Sequence, residues 1–356
     1  MSAKPTVLLL SAYDAASHRY WRTWLEEAIT GFEWVSLPLP GRHFYWRARS
    51  NALTYLGEHQ DVFSRRFDLI VATSMVDLAT LRGLLPNLAK CPSVVYFHEN
   101  QFAYPVSADN PHKSNIINAQ LTSVFTALCA DKLLFNSTYN RQTFFQGAAD
   151  LFNKMPDGIK PELMHGCRDR AAVLPVPIAS SGKEIAGKQS HVVEIVWNHR
   201  WEYDKQPEVF FKCMFKLADE GLAFRLHVLG QSFRQVPRCF DDAKIRLAGQ
   251  IETWGYQPRS AYDRILSEAD IVVSTALHDF QGLSMLEAIH HICVPVAPDR
   301  VAYPEYVPSD LLYDPINEVE SLTTLLRKLI TTALPAAPDV SRYTADQLKD
   351  LSLIHI

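Results

Sequence analysis

The 356-residue sequence lacks the short motifs that mark several common nucleotide-dependent enzymes. No GxGxxG run follows its first apolar segment, no GxxxxGK[ST] P-loop occurs, and no DxD pattern suggests a metal-bound sugar nucleotide. A GxGxxG loop lets the backbone approach a pyrophosphate at the start of a helix, so its absence removes most of the support for a dinucleotide oxidoreductase.

Long apolar runs and closely paired cysteines are missing too. Near the N-terminus only residues 7–10 form an apolar run, which is too short for a signal-peptide core or a membrane span. The six cysteines lie far apart with no CxxC, which favours reduced, mostly buried thiols over a zinc site or a disulfide framework. We therefore expect a cytoplasmic protein that does not associate with membranes.

Charge of either sign shows no large excess. The chain carries 35 Lys and Arg residues against 39 Asp and Glu residues, a net charge of −4. Bulk electrostatics do not demand a nucleic-acid partner, so any RNA binding needs a local basic patch. With 47% hydrophobic residues the chain can build a packed core, and its length allows two domains.

Short apolar runs alternate with segments of helical spacing in both halves of the chain. The predicted strands are residues 7–10, 69–72, 94–97, 133–135, 192–197, 224–229, 245–247, 271–274 and 294–297. The predicted helices are residues 20–29, 76–85, 116–128, 139–151, 206–220, 259–268, 283–292 and 319–331. Continuous apolar strands between helices are typical of parallel sheets covered on both faces, so the predicted fold class is α/β, with two doubly wound, Rossmann-like domains.

A small polar segment, ASSGKEIAGKQS at residues 179–190, has the composition of a linker between the two halves. We expect an N-terminal domain over residues 1–180, a C-terminal domain over 190–335, and a segment over 336–356 that packs back on the first domain. The closing LSLIHI resembles a translated adaptor sequence and is left out of the prediction. Two such domains facing each other form a cleft at the carboxyl ends of their strands, where α/β sheets bind ligands.

The stretch HDFQGLSMLEA, residues 278–288, follows a predicted strand and runs into an apolar helix. Gly282 and Leu283 begin that helix, so free backbone N–H groups there suit an anion such as a diphosphate. Asp279 and Glu287 are eight residues apart, with one acid on the loop and one on the helix. An N-capped amphipathic helix with incidental acids is the alternative interpretation.

The stretch WNHRWEYDKQP, residues 197–207, follows the first predicted strand of the second half. Arg200 and Lys205 are cations near a helix N-terminus, a pair suited to a leaving diphosphate. A charged surface loop is the alternative, although three aromatic side chains among the charges argue against a purely solvated loop.

The stretch VYFHENQFAYP, residues 95–105, turns abruptly from a buried strand into four polar side chains. They are His98, Glu99, Asn100 and Gln101, and they lie at a strand end of the first half. A lone histidine here is most simply a core residue satisfied by a carboxylate. Four polar residues followed by aromatic ones favour a ligand site at this edge.

Three further stretches carry aromatic or polar side chains at predicted element ends. FYWRAR, residues 44–49, pairs Arg47 and Arg49 with flat rings, a combination that suits phosphates and nucleobases or forms an ordinary helix with one wet face. The loop SAYDAASH, residues 11–18, also follows a strand. WGYQP, residues 254–258, can hold a base or simply cap the core.

Together these stretches resemble the GT-B glycosyltransferases of the retaining family-4 type, which have two Rossmann-like domains and bind a nucleotide-sugar in the second. More narrowly, FYWRAR, YFHENQFAYP, HRWEYDK, VLGQSF, WGY, HDFQGLSMLEA and AYPE resemble the tRNA-queuosine α-mannosyltransferase family, also called glycosyltransferase-like domain-containing protein 1. The likeness runs from Leu10 to about Tyr313. Asp279 departs from the family-4 pattern, in which the first acid of the E-x7-E element is usually Glu.

The resemblance implies retaining transfer of mannose from GDP-mannose to queuosine in tRNA, with no metal and no cofactor beyond the nucleotide-sugar. It implies catalytic roles for His98, Arg200, Lys205 and Asp279. The implied donor-binding residues are Asn198, Gly230, Trp254, Tyr256, Gly282, Leu283 and Glu287. The implied acceptor-side residues are Ser17, His18, Trp46, Arg47, Arg49, Glu99, Asn100 and Gln101.

Two alternatives stay open on the sequence alone. The first is a retaining GT-B enzyme that uses another nucleotide-sugar or a lipid, metabolite or protein acceptor. The second is a non-catalytic protein that keeps the fold and binds a nucleotide-sugar or RNA.

Overall fold

The computed structural model describes residues 4–104, 113–179, 192–232 and 236–355. The chain forms two compact units. Unit 1 runs to Pro177 and includes the C-terminal helix from Asp346, and unit 2 runs from Ile178 to Ala345. The predicted linker lies outside the described residues from position 180 onward.

Unit 1 is built on a parallel sheet of six strands in the order β2-β1-β3-β4-β5-β6. Its strands are β1 Thr6–Asp14, β2 Glu33–Pro40, β3 Leu69–Thr73, β4 Ser93–Phe97, β5 Lys132–Phe135 and β6 Ala171–Val173. Strands β1, β3 and β4 consist mostly of buried, apolar residues, as expected for parallel strands that are covered on both faces. The strand order reverses between β1 and β3, which is the point where open α/β sheets bind ligands.

Helices connect these strands and cover the sheet of unit 1. They are α1 Ala16–Ala28, α2 Phe44–Glu58, α3 Gln60–Phe63, α4 Leu78–Leu84, α5 Pro86–Ala89, α6 Lys113–Cys129, α7 Thr138–Lys154 and α8 His165–Asp169. Asp77 caps α4 by accepting the N–H of Thr80, and Ser137 caps α7 by accepting the N–H of Asn140. These side chains satisfy N–H groups that have no partner inside the helix.

Unit 2 contains a second parallel sheet of six strands, in the order β12-β11-β10-β7-β8-β9. Its strands are β7 Val193–Asn198, β8 Phe224–Leu229, β9 Ile251–Gly255, β10 Ile271–Val273, β11 Val294–Pro298 and β12 Leu312–Tyr313. Its helices are α9 Pro207–Asp219, α10 Cys239–Arg246, α11 Arg259–Glu268, α12 Leu283–His290 and α13 Glu318–Thr331. Counted within the unit, this is the Rossmann order 3-2-1-4-5-6, with its reversal between β7 and β10.

The last helix, α14 Ala345–His355, belongs to unit 1 from Asp346 onward. It continues through most of the closing LSLIHI, which we had left out of the prediction. Among the described helices, none is both long and apolar enough to cross a membrane.

One predicted strand is wrong. Residues 245 and 246 are the last two residues of helix α10, and residue 247 lies in the turn that follows. The strand of this region is β9 instead. Residues 245–247 are Ile-Arg-Leu, so the apolar pattern there is interrupted by Arg246, and the acids at the start and bases at the end of α10 suit a helix.

Candidate active site

A buried lysine lies where the sheet of unit 2 reverses its strand order. Lys205 is 6% exposed, and its Nζ donates a hydrogen bond to the backbone oxygen of His278 at 2.6 Å. The same Nζ lies 3.5 Å from Asp204 Oδ2 and 3.6 Å from Asp279 Oδ2. Lys205 follows β7 and Asp279 follows β10, so these two predicted residues meet at the ligand-binding point of the sheet.

Hydrogen bonds join the two loops that carry this ion pair. The Thr275 hydroxyl donates to the backbone oxygen of Lys205 at 2.6 Å, and the Leu277 N–H donates to the backbone oxygen of Asp204 at 2.8 Å. The indole N–H of Trp197 donates to the Thr275 hydroxyl at 3.2 Å. The loop backbone that carries the lysine is therefore fixed, so its ammonium acts as a preorganised charge.

Asp279 has hydrogen bonds to both of its carboxylate oxygens. Its Oδ1 accepts the N–H of Gly282 at 2.9 Å, and its Oδ2 accepts the hydroxyl of Tyr303 at 3.1 Å. Burial raises the pKa of this carboxyl, but the charge of Lys205 and the hydrogen bond from Tyr303 lower it, and the pKa lies below its usual value. The Gly282 N–H, which we expected to be free for a diphosphate, is already occupied by Asp279.

Gly282, which precedes α12, sits in a place that only glycine fits. Its φ is +78°, and an added Cβ would lie 2.2 Å from the Tyr306 hydroxyl and 3.0 Å from Tyr303 Cε1. The Tyr306 hydroxyl is buried and has no hydrogen-bond partner in the part of the chain that the structure describes. Two tyrosine side chains therefore pack against the N-terminus of α12.

Two buried polar side chains end β7 beside the lysine. Burial, and then the charge of Lys205, lower the pKa of His199 to about 4, so its imidazole is neutral. Its Nε2 and the Asn198 Oδ1 are buried without hydrogen-bond partners among the described residues. Asn198 Nδ2 donates to the backbone oxygen of Ser284 and to the Tyr262 hydroxyl, both at 2.9 Å. Buried atoms of this kind are usually completed by a ligand or by water.

The carboxylate of Glu287 is held by two neighbours on α11. Arg259 Nη1 lies 2.7 Å from Glu287 Oε1, and the Tyr262 hydroxyl donates to Glu287 Oε2 at 3.2 Å. A carboxylate has about four acceptor sites. Capacity therefore remains for further donors, such as sugar hydroxyls.

Arg200, from the predicted catalytic set, and Tyr256, from the predicted donor-binding set, are both exposed. The Arg200 side chain is 53% exposed and pairs with Glu202 at 2.9 Å. Tyr256 is 72% exposed. Neither side chain is fixed in place by burial, in contrast to Lys205.

Trp254, Gly230 and Leu283 are integrated into the fold of unit 2. The Trp254 ring packs 5.2 Å from that of Trp201, and Leu283 is half-buried against the same core. Gly230 has a φ of +138°, and an added Cβ would lie 1.9 Å from the backbone oxygen of His199. Trp254 therefore packs against the core, which is the alternative interpretation of the WGYQP stretch. Gly230 allows the chain after β8 to pass close to the His199 backbone.

In unit 1, His98 and His18 stack on each other at the carboxyl ends of β4 and β1. Their ring centroids are 4.0 Å apart with planes at 20°, and Trp21 and Tyr96 contact His98 edge-on. His18 Nε2 lies 3.1 Å from Glu99 Oε2. These contacts bring three of the predicted site residues together, and the carboxylate of Glu99 pairs with His18.

The pKa values of the two stacked imidazoles shift in opposite directions. Burial lowers the pKa of His18, but the charge and hydrogen bond of Glu99 outweigh it, and the pKa is raised. Burial, and then the charge of His18, hold the pKa of His98 well below its usual value. His98 is 5% exposed, and neither of its ring nitrogens has a hydrogen-bond partner within the described ranges. It is a neutral imidazole whose donor and acceptor are both available.

The other predicted acceptor-side residues of these loops differ in their surroundings. The Asn100 amide donates to Asn140 Oδ1 and Thr143 Oγ1, both at 2.9 Å, and accepts the N–H groups of Phe102 and Ala103. Its hydrogen-bonding capacity is used in shaping the loop. Gln101 is buried, and Ser17 is exposed on α1.

The FYWRAR stretch forms the first turns of α2. Trp46 is 78% exposed, and Arg49 Nη1 lies 2.9 Å from Asp77 Oδ2. Arg47 has a buried Nη1 that lacks a hydrogen-bond partner in the described structure. The FYWRAR stretch therefore forms a helix, as its alternative interpretation predicted. This helix still presents the Trp46 ring and arginine side chains.

Several residues of these sites were missed by sequence reasoning. They are Asp204, His199, Arg259, Tyr262, Tyr303, Tyr306 and Trp21. His199 and Asp204 lie inside the WNHRWEYDKQP stretch, so the position at a strand end was an available signal. Tyr303 and Tyr306 reach α12 from a distant segment, and only the AYPE motif hinted at them.

Two parallel-sheet units, with a charged site at the strand ends of the second, are the architecture of a GT-B glycosyltransferase. Solved structures share this fold across 99% of the chain. One is sucrose-phosphate synthase from Thermosynechococcus elongatus, with a TM-score of 0.67, 11% identity and 95% of that chain covered. Another is Anabaena Alr3699/HepE in complex with UDP and glucose, with a TM-score of 0.62, 12% identity and 94% of that chain covered.

Sequence comparison identifies the family within this class. The chain is 30% identical over 327 residues to the Drosophila melanogaster protein named tRNA-queuosine alpha-mannosyltransferase, covering 88% of this chain and 85% of the relative. The model of the tRNA-queuosine alpha-mannosyltransferase N-terminal region matches residues 6–178. The chain belongs to the tRNA-queuosine alpha-mannosyltransferase family of glycosyltransferases.

Proposed function

We propose that the protein transfers mannose from GDP-mannose to queuosine in tRNA with retention of configuration. The observation that carries this proposal is the buried Lys205 ammonium at the switch point of unit 2, where a nucleotide-sugar diphosphate would find a fixed cation. The choice of mannose and queuosine rests on membership of the family whose Drosophila relative is named for that transfer.

Lys205 and Arg200 stabilise the leaving group in this proposal. As the bond from the mannose anomeric carbon to the phosphate oxygen breaks, that oxygen keeps the electron pair and the GDP gains negative charge. A cation fixed nearby stabilises the transition state more than the ground state. Arg200 is exposed, so its guanidinium can contact the outer phosphate oxygens as a fork of donors.

Glu287 binds the nucleotide ribose, and Asp279 serves two roles. Arg259 and Tyr262 orient the Glu287 carboxylate, whose remaining acceptor sites receive the ribose hydroxyls. Asp279 is occupied by Gly282, Tyr303 and Lys205, so it mainly positions the lysine and the start of α12. Its remaining acceptor capacity holds one sugar hydroxyl.

His98 takes part in acceptor binding in unit 1. A neutral imidazole can accept a hydrogen bond from a queuosine hydroxyl and assist loss of its proton as the new bond to mannose forms. His18, paired with Glu99, holds the ring by stacking. The cations Lys205 and Arg200 carry the diphosphate charge, so we propose that no metal is required, and chelation with EDTA should leave transfer unchanged.

We also propose a cytoplasmic location, because the acceptor tRNA works there. A thermal-shift panel of GDP-, UDP- and ADP-sugars tests the donor directly, since a ligand that binds the native state raises its melting temperature. GDP-mannose is expected to give the largest rise. A rise with a UDP- or ADP-sugar, and none with GDP-mannose, would overturn the proposed donor.

A further inference from the structure

Unit 1 contains a pocket of about 820 Å³ on the first turns of α2. Asp77 and Thr80, which follow β3, and Asn118 of α6 complete its wall. Since α2 follows β2 and Asp77 follows β3, the pocket lies at the carboxyl end of the sheet. Ligands of α/β folds bind at this end.

The helix presents a ring, a cation and an aliphatic side chain to this pocket. Trp46, Arg49 and Leu53 are spaced i, i+3 and i+7, so they share one face of α2. Trp46 is 78% exposed and Leu53 is 68% exposed, while Ala48, Ala52 and Tyr55 take the buried face. A large flat ring kept in solvent beside a guanidinium is a platform for another flat group.

The pocket places one accessible guanidinium beside the exposed Trp46 ring, a pairing that suits a partner with flat rings and a phosphate. The first turn of α2 has no acidic residue, and Arg49 is the cationic Arg or Lys among the described residues that line the pocket. Arg49 is 63% exposed although it pairs with Asp77, so its guanidinium is accessible. Stacking on an aromatic ring combined with cations near the phosphate is how proteins hold single-stranded nucleic acid.

The pocket is separate from the histidine pair but next to it. Of the described residues that line it, none is His18, His98 or Glu99. Tyr13 links the two places, because its ring contacts that of Phe44 at 5.7 Å and its backbone interacts with His18. A nucleotide in the pocket would therefore be a neighbour of the group held at His98.

We infer that this pocket holds an unstacked base adjacent to queuosine in the anticodon loop, while queuosine itself lies at His98. In this arrangement the base stacks on Trp46, the Arg49 guanidinium contacts a backbone phosphate, and the Asn118 amide reaches the edge of the base. This inference rests on the proposed function, and it adds a second nucleotide-binding site that does not depend on queuosine.

The test compares Trp46→Ala with Trp46→Phe in binding to fluorescently labelled anticodon stem–loop RNA, with and without queuosine. Loss of one stacked base should weaken binding of both RNAs by on the order of 10-fold, and phenylalanine should retain most of it. In transfer assays the KM for tRNA should rise with little change in kcat. Ile245→Ala is the control, because Ile245 of α10 is also 78% exposed and lies in unit 2.

Two results would overturn the inference. One is unchanged binding of both RNAs by Trp46→Ala, and the other is a loss confined to the RNA that contains queuosine. If the wild-type protein still transfers mannose in either case, the proposed function stands and only the second site fails. A wild-type protein that neither binds these RNAs nor transfers mannose contradicts both.

Discussion

Lys205 Nζ and Asp279 Oδ2 lie 3.6 Å apart, in loops that follow the two strands at which the sheet of unit 2 reverses its order. Both side chains are largely buried. Removing one partner of a buried ion pair leaves the other uncompensated, at a cost of about 3–5 kcal/mol. Any single substitution of this pair is therefore expected to change both the stability of the protein and its catalytic activity.

Lys205→Ala is expected to lower turnover by on the order of 100-fold, because a cation near the leaving diphosphate is lost. Its melting temperature should also fall, since Asp279 then lacks its positive neighbour. In Lys205→Ala/Asp279→Asn the melting temperature should partly recover while turnover stays low. Measured turnover of the single variant equal to wild type would remove the role in leaving-group stabilisation.

Gly282→Ala and Gly221→Ala form a matched pair within unit 2. The two glycines have φ values of +78° and +75°, but an added Cβ meets the Tyr306 hydroxyl at Gly282 and nothing within 4 Å at Gly221. We expect Gly221→Ala to cost about 1–2 kcal/mol from the left-handed backbone alone, and Gly282→Ala to cost more. Adding Tyr306→Phe should recover part of the loss. Equal losses in urea unfolding would contradict the packing described at α12.

His98→Phe separates ligand binding from folding in unit 1. The ring still stacks on His18, but both nitrogens that lack partners within the described ranges are removed. We expect the melting temperature to hold and transfer to fall by roughly 100-fold, the usual scale of acid–base assistance.

Tyr96→Phe is the control for His98→Phe. It deletes a buried hydroxyl that donates to the backbone oxygen of Leu174 at 2.7 Å. A buried acceptor then loses its partner, at about 1–3 kcal/mol, so stability should fall with little effect on transfer. A stable His98→Phe with full activity would show that His98 is only a core residue.

The neutral His199 should make the protein sensitive to acid. Its pKa is about 4 in the folded protein and about 6.5 in the unfolded chain. Between these values the unfolded state binds the extra proton, so the free energy of unfolding falls as the pH falls through this window. Denaturant unfolding from pH 7 to pH 4 should show wild type losing on the order of 3 kcal/mol more than His199→Asn. Parallel losses in the two proteins would contradict the neutral, buried imidazole.

The sequence predicted most of the fold because buried parallel strands are continuous apolar runs. Strand β8 and helix α11 fall on their predicted residues. Strand β2 was missed because its sequence, EWVSLPLP, contains two prolines, which an edge strand tolerates. The very short β6 and β12 are set by pairing with neighbouring strands and leave no pattern of their own.

The placement of the candidate side chains was predictable where it depends on strand ends, as for Lys205, Asp279 and His98. It was not predictable where side chains arrive from distant segments. Tyr303 donates a hydrogen bond to Asp279, which lies 24 residues away in the sequence. Arg259 donates one to Glu287, which lies 28 residues away. The sequence also could not show that the hydrogen-bonding capacity of the Asn100 amide is used in shaping its loop, because its hydrogen-bond partners are fixed only by the fold.

The central claim is tested most directly by incubating the purified protein with radiolabelled GDP-mannose and tRNA. The account predicts labelled mannose on tRNA that contains queuosine, and none on the same tRNA prepared without queuosine. Transfer to both tRNAs, or to neither while the donor still binds, would contradict the assignment of queuosine as the acceptor.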